Sequence, residues 1–139
     1  MTSGNLLNIK IFNEIGSFDE RLFIDEVDSE YCLRLNKYNF KLVRHYEIFL
    51  IHELGSVYKK KFLCKDIVST NHTALRRYYI TRNRLFVWTK YFVHFPSSSI
   101  RVLKITVVEI IKIILIEKNK LEKFYYIILG VIHFIFKNW

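Results

Sequence analysis

The stretch Phe23-Ile24-Asp25-Glu26-Val27-Asp28-Ser29-Glu30-Tyr31-Cys32-Leu33-Arg34 decides how the N-terminal part of this 139-residue chain folds. Val27, Tyr31, Leu35 and Tyr38 recur at i, i+4, i+8 and i+11, the spacing of one helix face, which predicts a helix from about Glu26 to Asn39. Asn39 is a suitable stop, because asparagine tolerates the left-handed conformation that ends many helices. Six acids, Asp19, Glu20, Asp25, Glu26, Asp28 and Glu30, fall within twelve residues at or ahead of this helix. Like charges that close repel one another, so the cluster needs a reason. One reading is a solvated loop and first helical turn, which the helix dipole favours. The other is a catalytic or metal-proximal carboxylate site.

Upstream, Thr2, Ser3 and Gly4 read as an extended start, followed by a helix from about Asn8 to Glu14. Asn8 can cap it and Gly16 can end it, and Ser17–Asp25 is a loop. Downstream, Phe40–Val43 and Ile48–Ile51 are short and rich in β-branched or aromatic residues, which predicts two strands. From Leu54 to Thr70 the chain reads as a loop, basic at Lys59–Lys61 and Lys65. A long helix is predicted from about Thr70 or Asn71 to Phe92, stopping before Pro96. Pro96–Ser99 reads as a linker, followed by helices over Ile100–Glu117 and Leu121–Phe136. One proline and four glycines leave little punctuation, which favours long helices over a many-turned β-sandwich. The expected organisation is a part-α/β region over residues 1–69 and a helical, basic region over 70–139.

The net charge of +9 is unevenly spread. Residues 1–53 hold nine acids against six bases, a net of −3, and residues 54–139 hold four against sixteen, a net of +12. With 51% hydrophobic and 17% aromatic residues, composition excludes disorder. Cys32 and Cys64 match no metal or redox spacing, so reduced thiols in a cytosolic protein are expected. No secretory signal opens the chain, and nothing reaches the roughly 18 clean apolar residues of a spanning helix.

Ser3-Gly4-Asn5-Leu6, then Ile15-Gly16-Ser17-Phe18-Asp19-Glu20, then Leu22 to Arg34 together resemble the second half of the family 2 glycosyltransferase catalytic domain. The wording FID-x-VD-x-E-x-CLR looks like its rhamnosyltransferase branch. His52-Glu53-Leu54-Gly55 is similar to that family's His-x-x-Gly element, and Arg77-Tyr78-Tyr79-Ile80-Thr81-Arg82-Asn83 to its R-Y-Y-x-x-R-N helix. The similarity is colinear over roughly residues 2–91, with a weaker echo at Leu129-Gly130.

The resemblance implies a partial α/β chain, a truncated nucleotide-diphospho-sugar transferase A-type fold, followed by a mostly helical tail. It makes Asp28 the base that takes the acceptor hydroxyl's proton, with Asp25 a second functional acid. Glu30 would orient its neighbours rather than react. Val27 stands where many relatives have Glu, although the rhamnosyltransferase-like branch also reads Val-Asp. His52 would be a metal or diphosphate ligand, beside Mg²⁺ or Mn²⁺. Arg77, Arg82 and Arg84 would contact the diphosphate, or else form the solvated side of a long helix. The family's DxD metal motif is absent, with Asp28-Ser29-Glu30 only D-x-E. The expected protein is therefore part of an enzyme that transfers rhamnose, or a similar deoxyhexose, from a nucleoside-diphosphate sugar. It would begin within the catalytic domain, as a truncated, split or frameshifted reading frame would, and would not turn over alone, a separately encoded N-terminal half being one candidate partner.

The basic tail, with Tyr78, Tyr79, Phe86, Trp88, Tyr91, Phe92 and Phe95 interleaved, allows three partners by composition. Nucleic acid is not expected, since no RNP, KH or helix-turn-helix wording is present. A helical tail on an anionic membrane suits an enzyme that builds on a lipid-linked or growing polysaccharide acceptor at the cytoplasmic face. The remaining readings are a soluble helical cap on a catalytic sheet and a basic amphipathic membrane protein with no chemistry.

Overall fold

Asn8 opens the first helix. Its side-chain oxygen accepts from the Lys10 amide at 3.0 Å, and α1 runs Ile9–Ile15. The helix stops at Gly16, whose φ of +88° suits a residue without a Cβ and whose N–H closes on the Phe12 carbonyl at 3.1 Å. The computed structural model describes residues 5–51, 58–62 and 65–136. The chain divides into two compact units, residues 1–53 and 54–139.

In the first unit α2 runs Val27–Lys37, close to the predicted span. It ends as its sequence suggests. Asn39 takes φ +63°, the Asn39 N–H reaches the Asn36 carbonyl and the Phe40 N–H reaches the Leu35 carbonyl, both at 3.0 Å. Leu22, Tyr31 and Leu35 are buried. The Tyr31 ring meets Phe18 at 4.8 Å and Phe12 at 6.0 Å, which ties α2 to α1 and to the turn between them. The strands predicted at Phe40–Val43 and Ile48–Ile51 do not form. A strand needs a hydrogen-bonded neighbour, and no described strand pairs with them.

The second unit opens with a hairpin where sequence predicts a loop. β1 (Tyr58–Phe62) pairs antiparallel with β2 (Lys65–Ser69), setting Lys61 opposite Asp66 and Lys60 opposite Ile67. The lysine run hides this strand from a hydropathy reading, but opposite charges across a ladder stabilise it. Thr73 caps α3 (Ala74–Tyr91), its hydroxyl accepting from the Arg76 amide at 3.3 Å. α4 runs Pro96–Leu115, so Pro96–Ser99 is its first turn rather than a linker. Proline suits that place, because its fixed φ is helical and its missing N–H would have no partner there. α5 runs Lys120–Ile135. No helix among the described residues is long and apolar enough to cross a membrane. Five α-helices and one hairpin thus make a mixed α and β chain among the described residues. The hairpin belongs to the second compact unit, whereas the sequence reading places the division at 69/70.

Gly130 lets α3 and α5 cross closely. A Cβ there would meet the Tyr78 carbonyl oxygen at 2.8 Å and the Thr81 Cβ at 3.3 Å. Helix propensity alone favours Gly130→Ala by about 1 kcal/mol. Overpacking against backbone costs about 1–3 kcal/mol, so a net loss of stability is expected in urea unfolding. A gain of about 1 kcal/mol, as at an open helical glycine, would show that the helices do not meet there.

Candidate functional site

The acid cluster folds as a strained turn ahead of α2. Asp19 caps the short 3₁₀ turn Glu20–Leu22, accepting from the Arg21 amide at 3.3 Å, and pairs with the Arg21 guanidinium at 2.7 and 2.8 Å. Leu22 is fully buried beneath it. The backbone then turns left-handed at Phe23 (φ 40°), Asp25 (φ 62°) and Glu26 (φ 62°). Aspartate tolerates this region, but Phe23 and Glu26 cost roughly 1–2 kcal/mol each. Such strain persists where surrounding packing imposes it, and it gathers at functional sites.

Asp28 lies in the first turn of α2, partly buried, one residue after Val27 begins the helix. Glu26, at the N-cap, makes no side-chain capping bond to the first-turn amides. Glu30 is wholly buried, with its Oε2 2.9 Å from Arg34. Arg34 also donates to the Ser17 carbonyl at 2.8 Å and the Ile15 carbonyl at 3.3 Å. Glu30 thus acts through Arg34, pinning the end of α1 and the acid turn to α2. Burial pushes the Cys32 thiol up, and the charge of Asp28 adds to the shift, so Cys32 is a poor nucleophile.

Arg77 and Arg82 belong to the second unit, and neither is solvated. They are 3% and 6% exposed, which overturns the reading of them as the wet side of a long helix. Arg82 donates to the Asn83 side chain at 3.0 Å and lies over the Tyr78 and Tyr79 rings at 5.5 and 5.2 Å. Arg77 gives one nitrogen to Glu109 at 3.0 Å and another to Glu117 at 2.7 Å. Arg84 joins Glu109 at 2.9 and 3.1 Å. Glu117, buried after α4, also accepts from the Ser69 hydroxyl and from Lys123 at 2.8 Å, and Lys123 reaches Asn71 at 2.7 Å. The Lys123, Ser69 and Arg77 partners hold the Glu117 carboxyl below the usual range, outweighing the burial that opposes them. This network joins β2, the following loop, α3, α4 and α5.

Sequence reading missed Ser69, Asn71, Glu117 and Lys123, whose partners lie up to 52 residues apart with no diagnostic spacing. One clue existed. Only four acids occur in residues 54–139, and two of them, Glu109 and Glu117, interrupt or end an apolar helix. Asp25 lies in the acid turn, Asp28 in the first turn of α2 and Glu30 buried behind it against Arg34, while His52 lies outside the described residues. Among the described residues no group of three His, Cys, Asp or Glu side chains is placed to hold a metal ion.

Over 123 residues, 88% of the chain, the sequence is 34% identical to the dTDP-rhamnosyl transferase RfbF of Shigella flexneri. A match covering so much of the chain runs through both compact units. The chain spans 40% of that relative's length. No family model matches. No solved structure matches either. The similarity supports a rhamnosyltransferase-like glycosyltransferase.

Proposed function

We propose that this chain is the acceptor-activating, C-terminal part of an inverting family 2 glycosyltransferase that uses Asp28 as its base. Its donor would be a dTDP-linked rhamnose or a similar deoxyhexose. The observation that carries this reading is the 34% identity, over 88% of the chain, to a dTDP-rhamnosyl transferase. The acid turn supports it, because strained backbone sets Asp28 in a first helical turn fixed by the Glu30–Arg34 pair. In the transfer, the acceptor hydroxyl oxygen attacks the anomeric carbon and the glycosidic C–O bond forms. The bond from that carbon to the diphosphate oxygen breaks, its electron pair leaving on dTDP, and the acceptor proton passes to Asp28.

Donor binding is assigned to polypeptide outside these 139 residues, whether separately encoded or fused. A divalent cation, Mg²⁺ or Mn²⁺, would offset the charge on the diphosphate, with His52 as its proposed ligand. The described residues hold no three-ligand cluster, so no step is assigned to the metal. Arg77 and Arg82 are buried and held by partners inside the helical unit, so no step is assigned to them.

The proposed acceptor is lipid-linked or growing surface polysaccharide at the cytoplasmic face of the plasma membrane. Leu103, Val107, Ile111 and Ile114 form an exposed stripe on α4, and Tyr125, Ile128 and Ile132 another on α5. With Arg101, Lys104 and Lys120 exposed on the same helices, these faces suit an anionic bilayer surface. The same faces favour the second reading, a basic amphipathic membrane protein without chemistry.

A hybrid in which this chain replaces the matching segment of the Shigella protein separates the two. With dTDP-rhamnose and a lipid-linked acceptor, the hybrid is expected to release dTDP and the isolated chain is not. Turnover by the isolated chain would overturn the part-enzyme reading. Vesicle binding by a folded hybrid that releases no dTDP would favour the second.

A further inference from the structure

The helices of the second unit do not close completely on one another. Arg77 meets Glu117 and Glu109, and Arg84 meets Thr106, so α4 runs antiparallel to α3. Among α3, α4 and α5 lies a cavity of about 190 Å³, walled by Ile80, Leu85, Trp88, Val102, Ile113 and Val131. Packed interiors leave few voids larger than a water molecule. An aliphatic-lined cavity of about 150 Å³ stays dry and takes benzene, so this one suits a short length of hydrocarbon. Arg77, Arg84 and Glu109 also reach the wall, but they are paired with one another or with Glu117, which leaves an ionic group little to gain inside.

Two buried donors on that wall lack acceptors among the described residues, the Arg77 Nε and the Trp88 indole Nε1. Arg77 is otherwise held by two carboxylates, whereas the indole has only this donor. A buried N–H left unpaired is costly, so an oxygen acceptor is favoured beside it. Water answers it poorly, since a buried water makes about three hydrogen bonds. Trp88 lies one turn beyond Arg84, toward the end of the cavity lined by apolar Val102 and Leu103. Arg101 and Lys104 flank those two residues on α4, and both are exposed.

We infer that the cavity takes one acyl chain of an anionic glycerophospholipid. The ester carbonyl accepts from the Trp88 indole N–H, and the phosphate lies by Arg101 and Lys104. Such a lipid carries hydrocarbon, a neutral carbonyl and a phosphate in the order in which the apolar wall, the indole and the cations occur. A prenyl phosphate fits worse, because its oxygens all belong to the charged phosphate and leave the indole without a neutral acceptor. The inference rests on the proposed contact of α4 with an anionic membrane, not on the chemistry proposed for Asp28.

Monomeric lipid separates the cavity from the surface. Dihexanoylphosphatidylglycerol, kept below its micelle concentration, is titrated into the isotope-labelled chain carrying Trp139→Phe, which leaves Trp88 as the only tryptophan. The indole N–H resonance is expected to move downfield and to saturate at one lipid per chain. Trp88→Phe keeps a ring but removes the donor, and by calorimetry it should weaken binding about 2- to 10-fold, the worth of one net hydrogen bond. Val102→Phe fills the cavity and should weaken binding at least about 10-fold, with the melting temperature kept or raised, as cavity filling does. No saturable shift below the micelle concentration would overturn the proposal. So would an equal shift with farnesyl phosphate, or undiminished binding by a folded Val102→Phe chain. Sedimentation with phosphatidylglycerol vesicles reads the surface separately. A chain that binds vesicles but not the monomeric lipid keeps the membrane contact and refutes the cavity ligand. One that binds the monomeric lipid but leaves vesicles alone supports the cavity ligand and removes the membrane contact.

Discussion

Glu117→Ala is expected to cost the helical unit about 3–5 kcal/mol, because it removes the carboxylate shared by two buried cations, Lys123 and Arg77, and leaves Arg77 with Glu109 alone. That is a large part of the roughly 5–15 kcal/mol that holds a domain of this size together. Urea unfolding followed by the helical signal measures it. Replacing Arg77, Glu117 and Lys123 together by apolar residues of similar volume should restore most of the loss, since the cost lies in unpaired charge. A loss under about 1 kcal/mol in the single variant would fit an exposed pair and contradict the buried one. Acid should mimic the substitution. The folded Glu117 carboxyl is held below its unfolded range, so its stabilisation is complete above that range. It is lost as the pH falls through the depressed folded value, and the variant should lack this part of the acid dependence.

Local signals carried far in this sequence. Asn8, Gly16 and Asn39 place the ends of α1 and α2 through capping and left-handed turns that need only their neighbours. Pro96 misleads, because the same fixed φ that breaks a helix interior also begins a helix. β1 was hidden by its lysines, and β2 needed the partner that β1 supplies. Residues 40–51 fail in the opposite direction, since their strand pattern is clear but no described strand meets it. The acid turn was legible as a cluster, yet not its strain, because nothing local forces Phe23 and Glu26 left-handed. Glu30 was legible as an acid of the motif but not as a buried one, although its partner Arg34 sits one helical turn away. The arginines were legible as a motif only. Their burial depends on Glu109 and Glu117, and no spacing rule connects those acids to α3.

The largest expected functional effect belongs to Asp28, the proposed base. Removing a general base costs about 10²- to 10⁴-fold in rate, while groups that only hold the donor are untouched. Asp28→Asn keeps the shape and the hydrogen-bonding capacity of the first turn of α2 but cannot take a proton. Dissociation of dTDP-rhamnose should therefore change little, and kcat should carry the loss. Glu30→Gln should behave differently. It loosens the Arg34 clamp on the Ile15 and Ser17 carbonyls, so stability falls along with turnover.

Rhamnose transfer by the hybrid, with and without Asp28→Asn, tests the central claim most directly. The same change at the aligned position of the full-length Shigella enzyme runs beside it. The account predicts that kcat falls at least about 100-fold in both, with donor affinity and melting temperature unchanged. A variant that transfers rhamnose at the unaltered rate in either protein would contradict it.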